Sequence, residues 1–304
     1  MQYLILFFIL TWFSPSENLI IEELGKFGGT GNRPGLFKAP SGLDFSEDGR
    51  LFVADRLNHR IQVFDPFGRF LANFGGYGMG DEKFDEPCDV WARSTLNIFI
   101  ADYNNQRIQR YNKNLTYLNS KYSNPGEEER FQHERILSMA YSPQGELFLL
   151  DAGENKVVKI NQNDKGIAAF GFYESGKGQL VFPVQIDLTG NHRVIVSDAG
   201  ARKIYIYDYF GNFLRHIEHP DFLAPGGLAA DDQNRIYVAD PEAGKVFIFD
   251  LDGRYLAGFS SVNGLTLIRP VDLTVHKVDK LYHVYLIDGD EIWILKLQFK
   301  VPKE

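Results

Sequence analysis

A single pattern returns six times along this chain, and it limits the possible folds more than any other feature. The stretch LFVADRLNHRIQVFD, residues 51–65, sets two apolar, alternating runs around a short polar loop. It comes back as NIFIADYNNQRIQRYN (97–112), ELFLLDAGENKVVKIN (146–161), RVIVSDAGARKIYIYD (193–208) and RIYVADPEAGKVFIFD (235–250), and in degenerate form as HVYLIDGDEIWILKL (283–297). The aligned aspartates Asp55, Asp102, Asp151, Asp198, Asp240 and Asp288 are spaced by 47, 49, 47, 42 and 48 residues. A period of that length marks stacked supersecondary units. The length, 304 residues, suggests about two domains. Six copies of one unit predict a single closed array instead.

Each unit reads as four short antiparallel strands. In APSGLDFSEDGRLFVADRLNHRIQVFDPFGRFLANFG (39–75) the alternation breaks at SEDG, at DRLNH and at DPFG. Turn residues recur in register at Gly145, Gly190, Gly211 and Gly253. An inner strand is expected to open after Pro40, Pro87, Pro183, Pro225 and Pro270, where a missing N–H is tolerated at the first strand position. The third copy lacks this proline and has Glu134 and Arg135 there. Four-stranded sheets repeated radially make a propeller, so the fold class is all-β, with six four-stranded blades. The last copy is one strand short. LIIEELGKFGG (19–29) resembles an outer strand and is expected to complete that blade and close the ring.

The N-terminal run YLILFFILTWF (3–13) is too short to span a bilayer, which takes roughly 20 residues, but suits the core of a signal peptide. Ser14 and Ser16 provide small residues before a cleavage site at Glu17, although no basic residue precedes the run. The expected organisation is therefore a signal peptide over 1–16 and one propeller domain over 17–304, with 17–29 as the closing strand. This implies a secreted or periplasmic protein with no stable membrane span. The net charge of −8 sets a repulsive average field against a phosphate backbone, so no nucleic-acid partner is expected. The single cysteine, Cys88, excludes an intramolecular disulfide, and no neighbouring His or Lys in sequence favours a thiolate.

The units ADRLNHRIQVFD and ADYNNQRIQRYN, each following a proline-led strand start, resemble NHL repeats. The resemblance implies a six-bladed propeller, in agreement with the spacing. The family's range includes peptide-amidating lyases, RNA-binding modules and exported binding propellers. The lyases hold zinc with histidines, several placed after the strand-opening prolines; here those positions hold Ser41, Cys88, Val184, Gly226 and Val271. The seven histidines fall at unmatched repeat positions and are expected mainly at the surface. No metal and no cofactor are predicted. The basic loop residues Arg56, Arg60, Arg107, Lys156, Arg202, Lys203 and Lys245 share their face with the acidic run Glu127–Glu129, which argues against RNA.

The loops joining strands two and three of each blade, and those leading to the next blade, share one face around the channel mouth, the default place for a ligand. Asp55, Asn58 and Arg60 recur across copies and are expected to build turns and join blades. What departs from the repeat is the better functional candidate. Arg56, His59, Tyr103, Glu134, Arg135 and Arg202 are the predicted partner-binding residues, with no catalytic residue assigned. The resulting expectation is a monomeric, non-catalytic scaffold binding a protein, peptide or glycan through this top face. The alternative is a metal-dependent lyase or lactonase at the channel mouth. A scaffold predicts small or apolar channel walls and exposed aromatics on top; an enzyme predicts inward carboxylates, amides or histidines.

Overall fold

The computed structural model describes residues 19–94, 96–279 and 281–299. The expected leader, 1–16, lies outside the described residues. Strand β1 (Leu19–Gly28) is followed by blade I, with β2 (Pro40–Phe45), β3 (Leu51–Asp55), β4 (Arg60–Phe64) and β5 (Phe70–Gly75). Blade II holds β6 (Pro87–Trp91), β7 (Ile98–Asp102), β8 (Arg107–Tyr111) and β9 (Tyr117–Tyr122). Blade III holds β10 (Ile136–Tyr141), β11 (Leu147–Asp151), β12 (Lys156–Ile160) and β13 (Gly166–Phe170). Blade IV holds β14 (Pro183–Leu188), β15 (Val194–Asp198), β16 (Lys203–Tyr207) and β17 (Phe213–Ile217). Blade V holds β18 (Leu228–Ala230), β19 (Ile236–Asp240), β20 (Lys245–Phe249) and β21 (Tyr255–Phe259). A small hairpin, β22 (Ser261–Val262) and β23 (Leu265–Thr266), leads to blade VI with β24 (Pro270–Val278), β25 (Leu281–Asp288) and β26 (Glu291–Phe299).

Each blade is a four-stranded antiparallel meander, and β1 completes blade VI in the order β1-β26-β25-β24. The closing register runs antiparallel from Leu19 opposite Phe299 to Gly28 opposite Glu291. The edge of β26 is thereby paired, as the shortfall in the last repeat predicts. The inner strands touch in sequence from β2 through β6, β10, β14 and β18 to β24, which returns to β2.

The second strand of each blade is buried on both faces because each sheet packs between two neighbours. One side of β3 places Phe52 and Ala54 against Val90, Ile98 and Ile100 of blade II. The other places Leu51 and Val53 against Tyr285 and Ile287 of blade VI. The period of two thus sends alternate residues into two different cores.

The turns hold mostly where expected. Gly68 adopts a left-handed φ of 80°, and a Cβ there would lie 2.3 Å from the ring of Phe27 on the closing strand. In the turn between the first two strands of blade IV the left-handed residue is His192 (φ 62°), not Gly190. Pro225 does not open its strand: β18 starts three residues later, after Gly226 and Gly227, and Gly227 sits against the backbone of β24, where a Cβ would meet Asp272 Cα at 2.4 Å.

The six inner strands are also tied by side chains. At the second residue after each strand-opening position stand Gly42, Asp89, Ser138, Gln185, Gly227 and Asp272. Asp89 accepts the Met139 N–H of the next blade (3.1 Å), Ser138 that of Ile186 (3.3 Å), Gln185 that of Leu228 (3.0 Å) and Asp272 that of Leu43 (2.9 Å). Where glycine leaves no acceptor, the following blade supplies its own: Asp89 takes the Val90 N–H and Asp272 that of Leu273, both at 2.8 Å. All six inner N–H groups are thus paired, as buried backbone donors require.

Candidate functional site

The repeated aspartates are 0–4% exposed and act as blade joints. Asp55 accepts from the Lys38 N–H (2.8 Å), Asn58 Nδ2 (2.9 Å), Arg60 Nε (2.7 Å) and Gln62 Nε2 (3.0 Å). Asp102 repeats this with the Asp85 N–H, Asn105, Arg107 and Gln109. Arg60 and Arg107 fork further, each onto two carbonyls of the incoming connection. In the looser blades the aspartate keeps the N–H groups that precede the inner strand, such as Val181 and Phe182 on Asp198. The basic partner turns elsewhere: Lys203 pairs with Glu218 (2.8 Å) and Lys245 with Asp221 (3.0 Å). A buried carboxylate is tolerated only when so satisfied, which explains its recurrence.

Three of the predicted site residues meet at the junction of blades I and II. Arg56 contacts Glu86 through Nε (3.0 Å) and Nη2 (2.8 Å), and its guanidinium lies 5.6 Å over the Tyr103 ring. His59 holds a left-handed φ of 54°; its Nδ1 accepts the Glu86 N–H at 3.1 Å and lies 3.5 Å from Asp85 Oδ1. Its ring meets Tyr77 edge-on at 4.9 Å. The acidic pair Asp85 and Glu86 was not among the sequence candidates; its signal was its place directly before the strand-opening Pro87.

The other three do not join this group. The backbone N–H groups of Glu134 and Arg135 donate to Asp151 (3.4 and 3.2 Å), doing the work of the proline-led segment in other blades. Both side chains are exposed. Arg202 is exposed on the blade IV loop with a left-handed φ of 54°.

Glu134 borders a cavity of about 800 Å³ between blades II and III. Its aromatic walls are Tyr122, Phe172 and Tyr173. At its floor are His133 and Lys156, 5% and 6% exposed. His133 Nδ1 has no hydrogen-bond partner among the described residues, although its backbone N–H donates to Ser123 Oγ (2.9 Å). Burial holds the imidazole pKa below its usual value. Among the described residues, the Lys156 ammonium donates only to the Glu129 carbonyl, at 3.4 Å. Arginine at this position in blades I and II forks onto the aspartate; a lysine has no such planar fork. His133, expected near the surface, is therefore buried because the long third connection folds over it.

The channel walls differ from those expected of a scaffold. Asp89, Asp272 and Gln185 face inward, but each accepts inner-strand N–H groups. Lower in the ring, Arg93 bridges Asp44 (2.9 Å) and Asp187 (2.8 Å) on blades I and IV. Burial raises the Asp187 pKa despite this pairing, drives that of Asp272 well up and pushes that of Asp89 up to about 7. Among the described residues no three His, Cys, Asp or Glu side chains are grouped as a metal ion requires. Cys88 is buried, with Sγ 3.2–3.3 Å from the Leu137 and Ile136 carbonyls, and desolvation drives its pKa far up.

The top face also carries exposed apolar side chains on the connections from blade I to II, III to IV and V to VI. Tyr77, Met79, Tyr173 and Ile268 are 73–84% exposed, and Phe182 is 63% exposed. Among the described residues no helix is long and apolar enough to cross a membrane.

Comparison with known proteins agrees with this architecture. The family described as NHL repeat matches residues 37–64, which cover the inner strands of blade I and the loop with Arg56 and His59. The chain is similar to Protein brain tumor of Drosophila melanogaster, 44% identical over 62 residues, 20% of this chain and 6% of that protein. It is likewise similar to B-box type zinc finger protein ncl-1 of Caenorhabditis elegans, 45% identical over 64 residues, 20% of this chain and 8% of that one. The matched stretch thus spans less than a tenth of either relative. Among solved structures, a streptogramin B lyase superposes with a TM-score of 0.61 at 13% identity, covering 94% of this chain and all of the other. A Bacteroides thetaiotaomicron protein of unknown function gives 0.68 at 12% identity, covering 92% of this chain and 76% of the other. At such identity these structures share the fold alone. The chain is a six-bladed β-propeller that carries an NHL repeat in its first blade.

Proposed function

We propose that this propeller is an exported, monomeric binding scaffold that docks a protein partner on its top face. The observation that supports this most is the series of exposed apolar side chains on the top connections, beside the Arg56–Glu86–Tyr103 group. Aromatic residues, methionine and arginine are the types enriched at protein interfaces. Arg56 and His59 lie inside the matched segment, and the repeat-building residues around them hold the loop in shape.

The test compares two triple variants against the same partner preparation. Arg56→Ala with Tyr77→Ala and Met79→Ala removes top-face contacts; Phe67→Ala with Leu96→Ala and Phe210→Ala removes equally exposed side chains elsewhere. Loss of partner binding only in the first supports top-face docking; equal loss, or loss only in the second, counts against it. Export is supported by the apolar run 3–13, and a purified native chain beginning at Met1 would contradict it.

A channel-mouth enzyme is the second reading, favoured by the inward Asp89, Asp272 and Gln185. A stoichiometric, tightly held Ca²⁺ or Zn²⁺ in purified protein would support it over the scaffold.

A further inference from the structure

The cavity between blades II and III is separate from the Arg56 group and is unlike any other blade junction. Its volume, about 800 Å³, falls in the range of roughly 300–1,000 Å³ typical of small-ligand sites. Two buried polar groups at its floor are under-used. His133 Nδ1 has no partner among the described residues, and the Lys156 ammonium, with three protons to donate, makes one long contact. Leaving the hydrogen-bonding capacity of buried groups unfilled is unfavourable. A ligand that pairs both recovers that loss on binding.

The charges around the cavity restrict what that ligand is. Glu129, Glu134 and Glu154 stand exposed at the rim with Arg130, which pairs with Glu128, while Lys156 lies at the floor opposite the buried Asp151. An anion reaching the floor must pass the rim carboxylates and finds Lys156 already opposed by Asp151, and a cation drawn inward meets that same ammonium. A hydroxyl group conflicts with neither, since its oxygen accepts from Lys156 and its proton is available to His133 Nδ1 or to a rim carboxylate. Tyr173, 84% exposed, and Tyr122 offer flat apolar faces of the kind that pack against the C–H face of a pyranose ring.

We propose that this cavity is a binding site for a neutral oligosaccharide, held through hydroxyl groups by His133 and Lys156 and by ring stacking on Tyr173 and Tyr122. The site goes beyond the protein docking described above and does not depend on it.

The experiment uses free sugars as probes: maltotriose, cellotriose, chitotriose, xylotriose and mannotriose, titrated into the purified protein by calorimetry. At least one is expected to bind saturably at one site per chain. Tyr173→Ala should weaken that binding at least tenfold, and Phe67→Ala, on the opposite face, should leave it unchanged. The ¹⁵N resonance of His133 Nδ1 should move on sugar addition, a response that a merely structural histidine does not give. The proposal is overturned if none of the five binds, if Tyr173→Ala binds as well as the parent, or if spermidine or citrate occupies the cavity while the sugars do not.

Discussion

At the scale of single residues, repetition separates structure from function. Asp55 and Asp102 look catalytic when one loop is read alone, yet each is occupied by four donors within its own blade junction. Removing one leaves a buried guanidinium without its counter-charge. Asp102→Ala is expected to destabilise the fold by about 3–5 kcal/mol in urea denaturation, because Arg107 is only 2% exposed. A loss below about 1 kcal/mol would show that the pair does not join the blades. The inward carboxylates behave differently. The Asp89 carboxyl is pushed up to about 7 by burial, against about 3.9 in an unfolded chain. Between these values the folded protein keeps a proton that the unfolded chain has lost, so stability falls as pH rises from about 4 to 7. Asp187 and Asp272 shift in the same direction. Asp89→Asn should flatten this fall, measured by urea denaturation between pH 4.5 and 7.5; an unchanged slope would place its titration elsewhere.

At the scale of elements, the strands and their turns were legible because period-two alternation and turn glycines are local signals. The closing strand was legible as well, from a missing fourth strand and a spare segment resembling one. Deleting 19–28 should expose the edge of β26 and raise the association state, read by light scattering. A monomer with unchanged melting temperature would refute closure by β1. Gly68→Ala tests the same contact more gently: with φ at 80° and Phe27 at 2.3 Å from the new Cβ, a loss of about 1–3 kcal/mol is expected. What the sequence hid was non-local. Pro225 looks like every other strand-opening proline, yet β18 starts three residues later. Burial of His133 depends on a long connection whose path no periodicity specifies. The role of Glu86 follows from its meeting Arg56 thirty residues earlier in the chain.

At the scale of the whole molecule, six blades divide the labour between two sets of residues. The repeated set joins strands and blades and leaves the top connections free to differ. The unrepeated set supplies the exposed tyrosines, the Arg56 group and the cavity beneath the third connection. Of the six predicted contact residues, Arg56, His59 and Tyr103 come together, Glu134 borders the cavity, and Arg135 and Arg202 stand alone. Side-chain convergence across a ring is set by packing, so it was only partly readable from positions in the repeat. The central claim is that partners meet the face built from these unrepeated residues. Its most direct test places a photo-crosslinking residue at Tyr77, Met79 or Tyr173, and at Phe67 or Phe210, in the protein within its own cells. Adducts of one defined mass from the first three positions, with none from the last two, are predicted; adducts from Phe67 or Phe210 alone would contradict the claim.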